Sequence, residues 1–272
     1  MKKINISVLM EDNLCGGGLE AEHGLSVYIE TKMHKLLVDT GQSEKTWENA
    51  KTKGIDVTKA DTVFISHGHY DHSGGLMKFA SVNPSADIYM HENAGREYYS
   101  FKDGREKYIG IDKDILSLPN LHLINKNTVI DDELSVFTNV QPKRSRPKGN
   151  RRLHELRGGE YVQDTFSHEM YLTIRYGDGE YALISGCAHN GILNILDAFR
   201  EIYGKNPTIV ISGFHMIQPE YSKDDLQSIR DTAEELSKMD TVFYSGHCTG
   251  EEPYRVMKEI MGDKLQAIGG LL

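Results

Sequence analysis

A chain of 272 residues with 39% hydrophobic and 26% charged positions is long enough to bury a substantial core and has the balance of an ordinary globular protein. A net charge of -9 gives it no general attraction to nucleic acid, and no apolar run approaches the roughly 20 residues that a bilayer demands. Three scattered cysteines, Cys15, Cys187 and Cys248, make no disulfide framework, and acidic residues arrive too early in "MKKINISVLMEDN" for a secretory signal, so the chain reads as cytoplasmic.

The opening pieces "KINISVLM", "LSVYIET" and "HKLLVDTG" predict three strands. Ser43 is placed to cap a short helix carrying Trp47 and Ala50 and ending near Gly54, and "TVFIS" then reads as a buried strand. "GGLMKFASVN" predicts a helix closed before Pro84, and "ADIYMH" another strand, so the pattern turns to βαβ. Residues 93–118 are polar and read as an insertion or lid, after which "LHLINKNTVIDDELSVFTNV" returns to short strands. Residues 142–157, "PKRSRPKGNRRLHELR", form a basic loop. Three readings of it stand: a solvated surface loop, an anion clamp for a phosphorylated substrate through Arg144, Arg146, Arg151 and Arg152, or a nucleic-acid contact, which the acidic balance disfavours.

"MYLTIRYGDGEYALIS" predicts a hairpin turning at Gly177-Asp178-Gly179, and "GILNILDAFREIY" a helix with Ile192, Ile195, Leu196, Phe199 and Ile202 at inward spacing. "TIVIS" is a strand. Ser222 and Asp225 make a capping box ahead of a helix whose apolar face is Leu226, Ile229, Ala233 and Leu236. "TVFYS" and a last helix from about Pro253 complete what reads as a single domain over 1–272.

Four of these strands share an ending: "VFIS-HGH", "LIS-GCAH", "VIS-GFH" and "VFYS-GH". Each reaches a serine and delivers a histidine within four positions. In layered α/β proteins, functional groups gather beyond the carboxyl ends of neighbouring strands. His67, His69, His72, His189, His215 and His247 are therefore candidates for one cluster. The densest piece, "HGHYDH", arises by chance in roughly one of several hundred chains of this composition. Its three imidazoles and one carboxylate, wrapped around a glycine turn, are the nitrogen and oxygen donors preferred by zinc and its neighbours. With His189 and His247 added, the set exceeds one tetrahedral site. Two divalent ions, zinc first and manganese or iron as alternatives, are the economical account; between them water would be acidified and a phosphoryl or carbonyl oxygen held.

With "DTG" at 39–41, "HGHYDH" and later histidines at strand ends, the sequence resembles the metallo-β-lactamase superfamily. The resemblance implies an α/β fold, a four-layer αβ/βα sandwich over nearly the whole chain. It implies His67, His69 and His189 on a first metal, Asp71, His72 and His247 on a second, and Asp39 orienting ligands from behind. "AEHGLS", "DTGQS", "SHGHYDHSGGL", "GCAHNGILN", "SGFHM" and "GHCTG" further resemble the branch that includes the archaeal 7,8-dihydropterin-6-methyl-4-(β-D-ribofuranosyl)aminobenzene-5'-phosphate synthase. Ser185-Gly186-Cys187 stands where many members carry "GD" and a bridging aspartate, so Cys187 is open as a ligand, a substitute bridge or a packing residue.

His168 competes with His189 for the first metal but precedes its apolar strand, whereas His189 follows one and is preferred. His215 and His23 are candidates for substrate contact, and Asp71 and His215 for catalysis. Cys248 has no separate role here, and His91, His122 and His154 are surface or packing residues. The expected function is that of a metal-dependent hydrolase or transferase acting on a small, anionic, phosphorylated or pyrophosphorylated substrate, a dihydropterin among the candidates. A redox or metal-sensing protein of the same fold and a nuclease are the alternatives, and a homo-oligomer is left open.

Overall fold

The computed structural model describes residues 4–13 and 17–271; Cys15 lies outside the described residues. The three opening segments form β1 (Asn5–Met10), β2 (Ser26–Glu30) and β3 (Lys35–Val38). Helix α1 (Lys45–Thr52) follows, with Ser43 Oγ accepting the Lys45 N–H at 3.2 Å, and leads to β4 (Thr62–Phe64). Two short helices, α2 (Tyr70–Ser73) and α3 (Leu76–Val82), precede β5 (Asp87–His91). The middle of the chain supplies β6 (Tyr98–Lys102), β7 (Arg105–Tyr108), β8 (Leu121–Ile124), β9 (Thr128–Val129), β10 (Leu134–Thr138), β11 (Leu153–Arg157) and β12 (Glu160–Gln163). The hairpin of β13 (Met170–Tyr176) and β14 (Glu180–Ile184) then opens a βα series: α4 (Ile192–Tyr203), β15 (Ile209–Ile211), α5 (Lys223–Ser237), β16 (Val242–Ser245), α6 (Glu251–Met261) and β17 (Leu265–Ala267).

The strands make a six-stranded sheet, β1-β2-β3-β4-β5-β8, and a seven-stranded sheet, β17-β16-β15-β14-β13-β10-β9. The period-two alternation of side chains assigns each face. Leu36, Val38 and Phe64 from the first sheet meet Val136, Leu172, Ile184 and Ile211 from the second in a shared core. Leu37, Val63 and Ile88 point the other way, against Ala50 of α1 and Phe79 of α3. Leu183, Val210 and Phe243 likewise face Leu196, Ile229, Ala233 and Met257 on α4, α5 and α6. The result is helix, sheet, sheet, helix: a four-layer αβ/βα sandwich, as the resemblance implies. Register sets the functional edge, because Ile184 pairs with Ile211 and Ile211 with Tyr244, so three strands finish at one level.

Several boundaries differ from expectation. Helix α6 starts two residues before Pro253, and Ile202, on the last turn of α4, is 44% exposed. The polar segment 93–118 and the basic segment 142–157 are not free loops: they supply β6, β7 and β11, which with β12 build a four-stranded sheet, β12-β11-β6-β7. Its turns are Asp103-Gly104 and Gly158-Gly159, all with positive φ, the backbone a two-residue hairpin turn requires. Strand β17 adds to β16, a piece too short to show in the apolar pattern.

At the end opposite the functional edge, His34 ties the two halves together. Its Nδ1 lies 2.9 Å from Asp61 Oδ1 and its Nε2 2.8 Å from Asp131 Oδ2. Partial burial lowers the imidazole pKa, but the Asp61 hydrogen bond and the Asp131 charge outweigh it and raise the pKa above 6.5. A raised folded-state pKa means that this stabilisation is complete below the unfolded value and is lost as pH rises through the folded one. Replacing His34→Gln should therefore destabilise the protein by about 1 kcal/mol at pH 6 and by less at pH 9, as read from denaturant unfolding at the two pH values.

Candidate metal centre

Asp39 leaves β3 with φ 55 and is fully buried. Its Oδ1 accepts the Ser66 N–H at 2.8 Å; its Oδ2 accepts the Ser66 hydroxyl at 2.7 Å and faces His72 Nδ1 at 2.6 Å. The carboxylate thus bends the chain after β4 and fixes which nitrogen of His72 stays free. Gly68 makes the bend passable, since a Cβ there would lie 2.5 Å from Ala94 O. Gly186 does the same from the opposite sheet, where a Cβ would collide with Ser66 Oγ and come within 3.0 Å of His67 Nδ1. Ala188, His215 and His247 also have positive φ, of 52, 47 and 49. Such backbone costs about 1–3 kcal/mol per residue and collects where a fold holds side chains for chemistry.

Two donor groups result. His67, His69 and His189 place one ring nitrogen each within 4.8 Å of one another, and Asp71, His72, Cys187 and His247 do the same with one donor atom each; all seven residues are buried. In every case but one an outer partner occupies the far side of the ring. His67 Nδ1 meets Ser66 Oγ at 2.9 Å, His189 Nδ1 meets Asn150 Oδ1 at 3.0 Å, and His247 Nδ1 meets Asp12 Oδ1 at 2.5 Å. The nitrogens left over face inward: His67 Nε2 lies 3.0 Å from His69 Nδ1, while His189 Nε2 and His247 Nε2 are buried without a hydrogen-bond partner. Asp71 Oδ2 stands 3.5 Å from His72 Nε2 and 3.4 Å from His247 Nε2. Cys187 Sγ is 3.2 Å from His72 Nε2, which puts the thiol among the second set of donors. His69 is the exception, its Nε2 buried and unpartnered.

The protonation states suit metal binding. Burial, reinforced by neighbouring imidazoles, holds His67 and His189 well below 6.5, and burial with His168 brings His69 to about 3. Burial would raise the Asp71 pKa, but His72, His247 and His23 outweigh it and keep the carboxylate ionised. In His72 and His247 burial is likewise overcome, by Asp39 and Asp71 in the first and by Cys248, Asp12 and Asp71 in the second, so a metal there displaces protons. Buried, unpartnered nitrogens, a carboxylate and a thiol converging on common points fit divalent cations, and a hydrogen-bonded polar core leaves no such atoms over.

The other candidates fall into place individually. His168 accepts the Gly68 N–H on Nδ1 at 3.0 Å and meets Asp164 with Nε2 at 3.1 Å, so neither nitrogen is available. His23, half exposed, bridges Asp12 at 2.9 Å and Asp71 at 3.3 Å. His215, 5% exposed, packs against His189 with 4.1 Å between tilted ring centres, and neither of its buried nitrogens has a partner. It also forms a third donor group with Cys187 and Cys248. His23, His69, Asp71, His189 and His215 line the floor of a cleft of about 340 Å³. His91 is buried and accepts the Asn93 N–H, His122 pairs with Asp87 at the surface, and His154 packs on Phe101.

The arginines of the basic segment scatter. Arg144 is held by Asp197 and Glu235, Arg146 lies 5.9 Å from the Phe166 ring, itself stacked on His189, and Arg151 is exposed; Arg152 alone of the four lines the cleft. Asp12, Asn150 and Glu169 are outer-partner residues that the sequence reading lacks. Glu169 accepts the His189 and Asn190 N–H groups at 2.6 and 2.8 Å and sets the loop that delivers His189. Asp12 follows the end of β1 and so obeys the same strand-end rule as the histidines.

Comparison with known proteins agrees with this fold. The sequence profile described as "Metallo-beta-lactamase superfamily" matches residues 19–230. The chain belongs to the metallo-β-lactamase superfamily. Most members of this superfamily are metal-dependent hydrolases. The chain is similar to the crystal structure of Tm1679, titled a metal-dependent hydrolase of the β-lactamase superfamily, with 30% identity and a TM-score of 0.81 over 97% of this chain and 96% of that one. It is 28% identical to the Methanocaldococcus jannaschii protein MJ0448 over 89% of this chain and 90% of that one. It is also 28% identical to the 7,8-dihydropterin-6-methyl-4-(beta-D-ribofuranosyl)-aminobenzene-5'-phosphate synthase of the same organism, over 85% of this chain and 82% of that one. Among the described residues no helix is long and apolar enough to cross a membrane.

Outer partners of this kind govern how firmly a metal is held. Asn150→Ala should weaken retention at the first donor group, and Asp12→Asn at the second, each by about 10–100-fold in a chelator competition, with circular dichroism unchanged. Wild-type retention in both variants would remove these residues from the orienting role.

Proposed function

We propose that the protein is a two-metal hydrolase or group transferase acting on a small phosphorylated or pyrophosphorylated substrate. The observation that carries this reading is the pair of adjacent buried donor groups, each of which brings residues to one cleft, His69 and His189 from the first and Asp71 and Cys187 from the second. His67, His69 and His189 would hold one divalent ion, and Asp71, His72, His247 and Cys187 the other. Zinc suits this mixture of imidazole, carboxylate and thiol; manganese and iron are the alternatives. Divalent ions bound there supply Lewis acidity toward water and toward a phosphoryl or carbonyl oxygen.

The chain's own groups do the rest. Asp71 stays a carboxylate and orients His72, His247 and His23 around it. His215, with two uncommitted nitrogens at the cleft floor, is placed to give a proton to a leaving group or take one from a nucleophile. Burial of the donor groups keeps bulk water from competing for either position. A pterin-type substrate is the narrower form of this reading, and the named synthase among the relatives supports it.

Elemental analysis of the purified protein should find close to two divalent ions per chain, and His67→Ala and Asp71→Ala should each lose metal. Against a panel of phosphoesters and lactones, His215→Gln should keep its metal and lose about 10²-fold in kcat. A metal-free protein that gains nothing from added zinc, manganese or iron would defeat the reading.

A further inference from the structure

The roof of the cleft carries charge that the donor groups do not use. Lys102, Lys107 and Arg152 line it, from β6, β7 and the residue before β11. Strand periodicity puts them there. On β6, Ser100 and Lys102 share one face while Tyr99 and Phe101 take the other, where they pack with Tyr108 and Tyr161. Lys107 pairs across from Ser100, and Leu153 pairs with Ser100 on its other side, so one row of the small sheet looks into the cleft.

Three cations of the neighbouring basic segment are neutralised: Arg144 by Asp197 and Glu235, Lys148 by Asp225, Arg157 by Glu155. Among the described residues, Lys102, Lys107 and Arg152 enter no such pair. Lys107 Nζ instead donates to the Tyr70 hydroxyl at 2.9 Å and sits 4.4 Å from the centre of that ring. Tyr70 lies between His69 and Asp71, so the ammonium is fixed relative to the donor groups. Arg152 keeps Nε buried without a hydrogen-bond partner, a costly arrangement that an anionic oxygen in the cleft would relieve. Ile109, Leu153 and Ile217 supply apolar wall between roof and floor.

We propose that Lys102, Lys107 and Arg152 form an anion seat that selects substrates bearing a phosphate monoester at the end remote from the reacting bond. The proposal rests on the reading of the floor as a metal centre, but its contacts are separate. Three convergent cations match the charge and oxygen count of a phosphate better than those of a carboxylate, and a guanidinium adds directional donors to two point charges.

The test uses the full-length metal-loaded protein and two probes, ribose 5-phosphate and ribose, with binding read by calorimetry. The wild type should prefer the phosphate by tenfold or more. Lys102→Gln with Lys107→Gln, and separately Arg152→Gln, should each cut that preference by about tenfold, leaving ribose binding and metal content unchanged. An unaltered preference in both variants overturns the seat and assigns the phosphate to the metal ions, as does an equal loss of affinity for ribose. Absence of any phosphate preference in the wild type overturns it too. The same titration on protein stripped of metal separates the two readings: a preference that persists there and falls in the variants upholds the seat whatever the metal analysis shows.

Discussion

The turn that carries four of the donor residues depends on one buried carboxylate. Asp39 is fully buried, and its two oxygens are shared among the backbone amide and hydroxyl of Ser66 and the imidazole of His72. Because a buried charge must be fully hydrogen-bonded, the chain after β4 cannot relax into a regular strand without stranding it. The turn through Gly68 is the arrangement that satisfies Asp39 and also delivers His67, His69, Asp71 and His72 to different sides of one space. A helix or strand carrying the same residues would present them with fixed periodicity and could not surround a point.

The remaining donors are held by residues far away in sequence. Asp12 orients His247 across 235 positions, and Asn150 orients His189 across 39. The centre is thus assembled by the meeting of both sheets, and loosening either sheet would disperse it. His168 shows the contrast: it lies 5.2 Å from His69, ring centre to ring centre, yet both its nitrogens are committed, and it serves the turn. Proximity to a cluster does not make a ligand; an uncommitted lone pair does.

This division explains what the sequence could and could not reveal. Strand ends are local features, and the recurrence of serine then histidine after short apolar runs marked His67, His69, His72, His189, His215 and His247, though not His23, which reaches the cleft from a loop. Most strands and helices were legible from their apolar patterns, whereas the four-layer arrangement came from the family resemblance. Orienting residues are defined by contacts between distant segments, so Asp12 and Asn150 carried no local mark beyond, for Asp12, its place after β1. The small sheet was hidden by its polar strands, although Asp103-Gly104 and Gly158-Gly159 are the dipeptides that favour tight hairpins. The clamp reading of 142–157, one of three, rested on the adjacency of its arginines in sequence. Arg144 is drawn instead to Asp197 on α4 and Glu235 on α5, and Arg146 to Phe166.

The small sheet also has an architectural meaning. It joins the sandwich through a few contacts near Tyr70, Tyr98 and Leu153, and its hairpin reverses in two residues. Floor and roof are therefore written in different stretches of the chain: the floor in strand ends locked to both sheets, the roof in a short ribbon with an open edge. Changes of residue or length in that ribbon can retune which molecules are admitted while leaving the reactive machinery beneath untouched. The chain is built like a fixed workbench under an interchangeable jig.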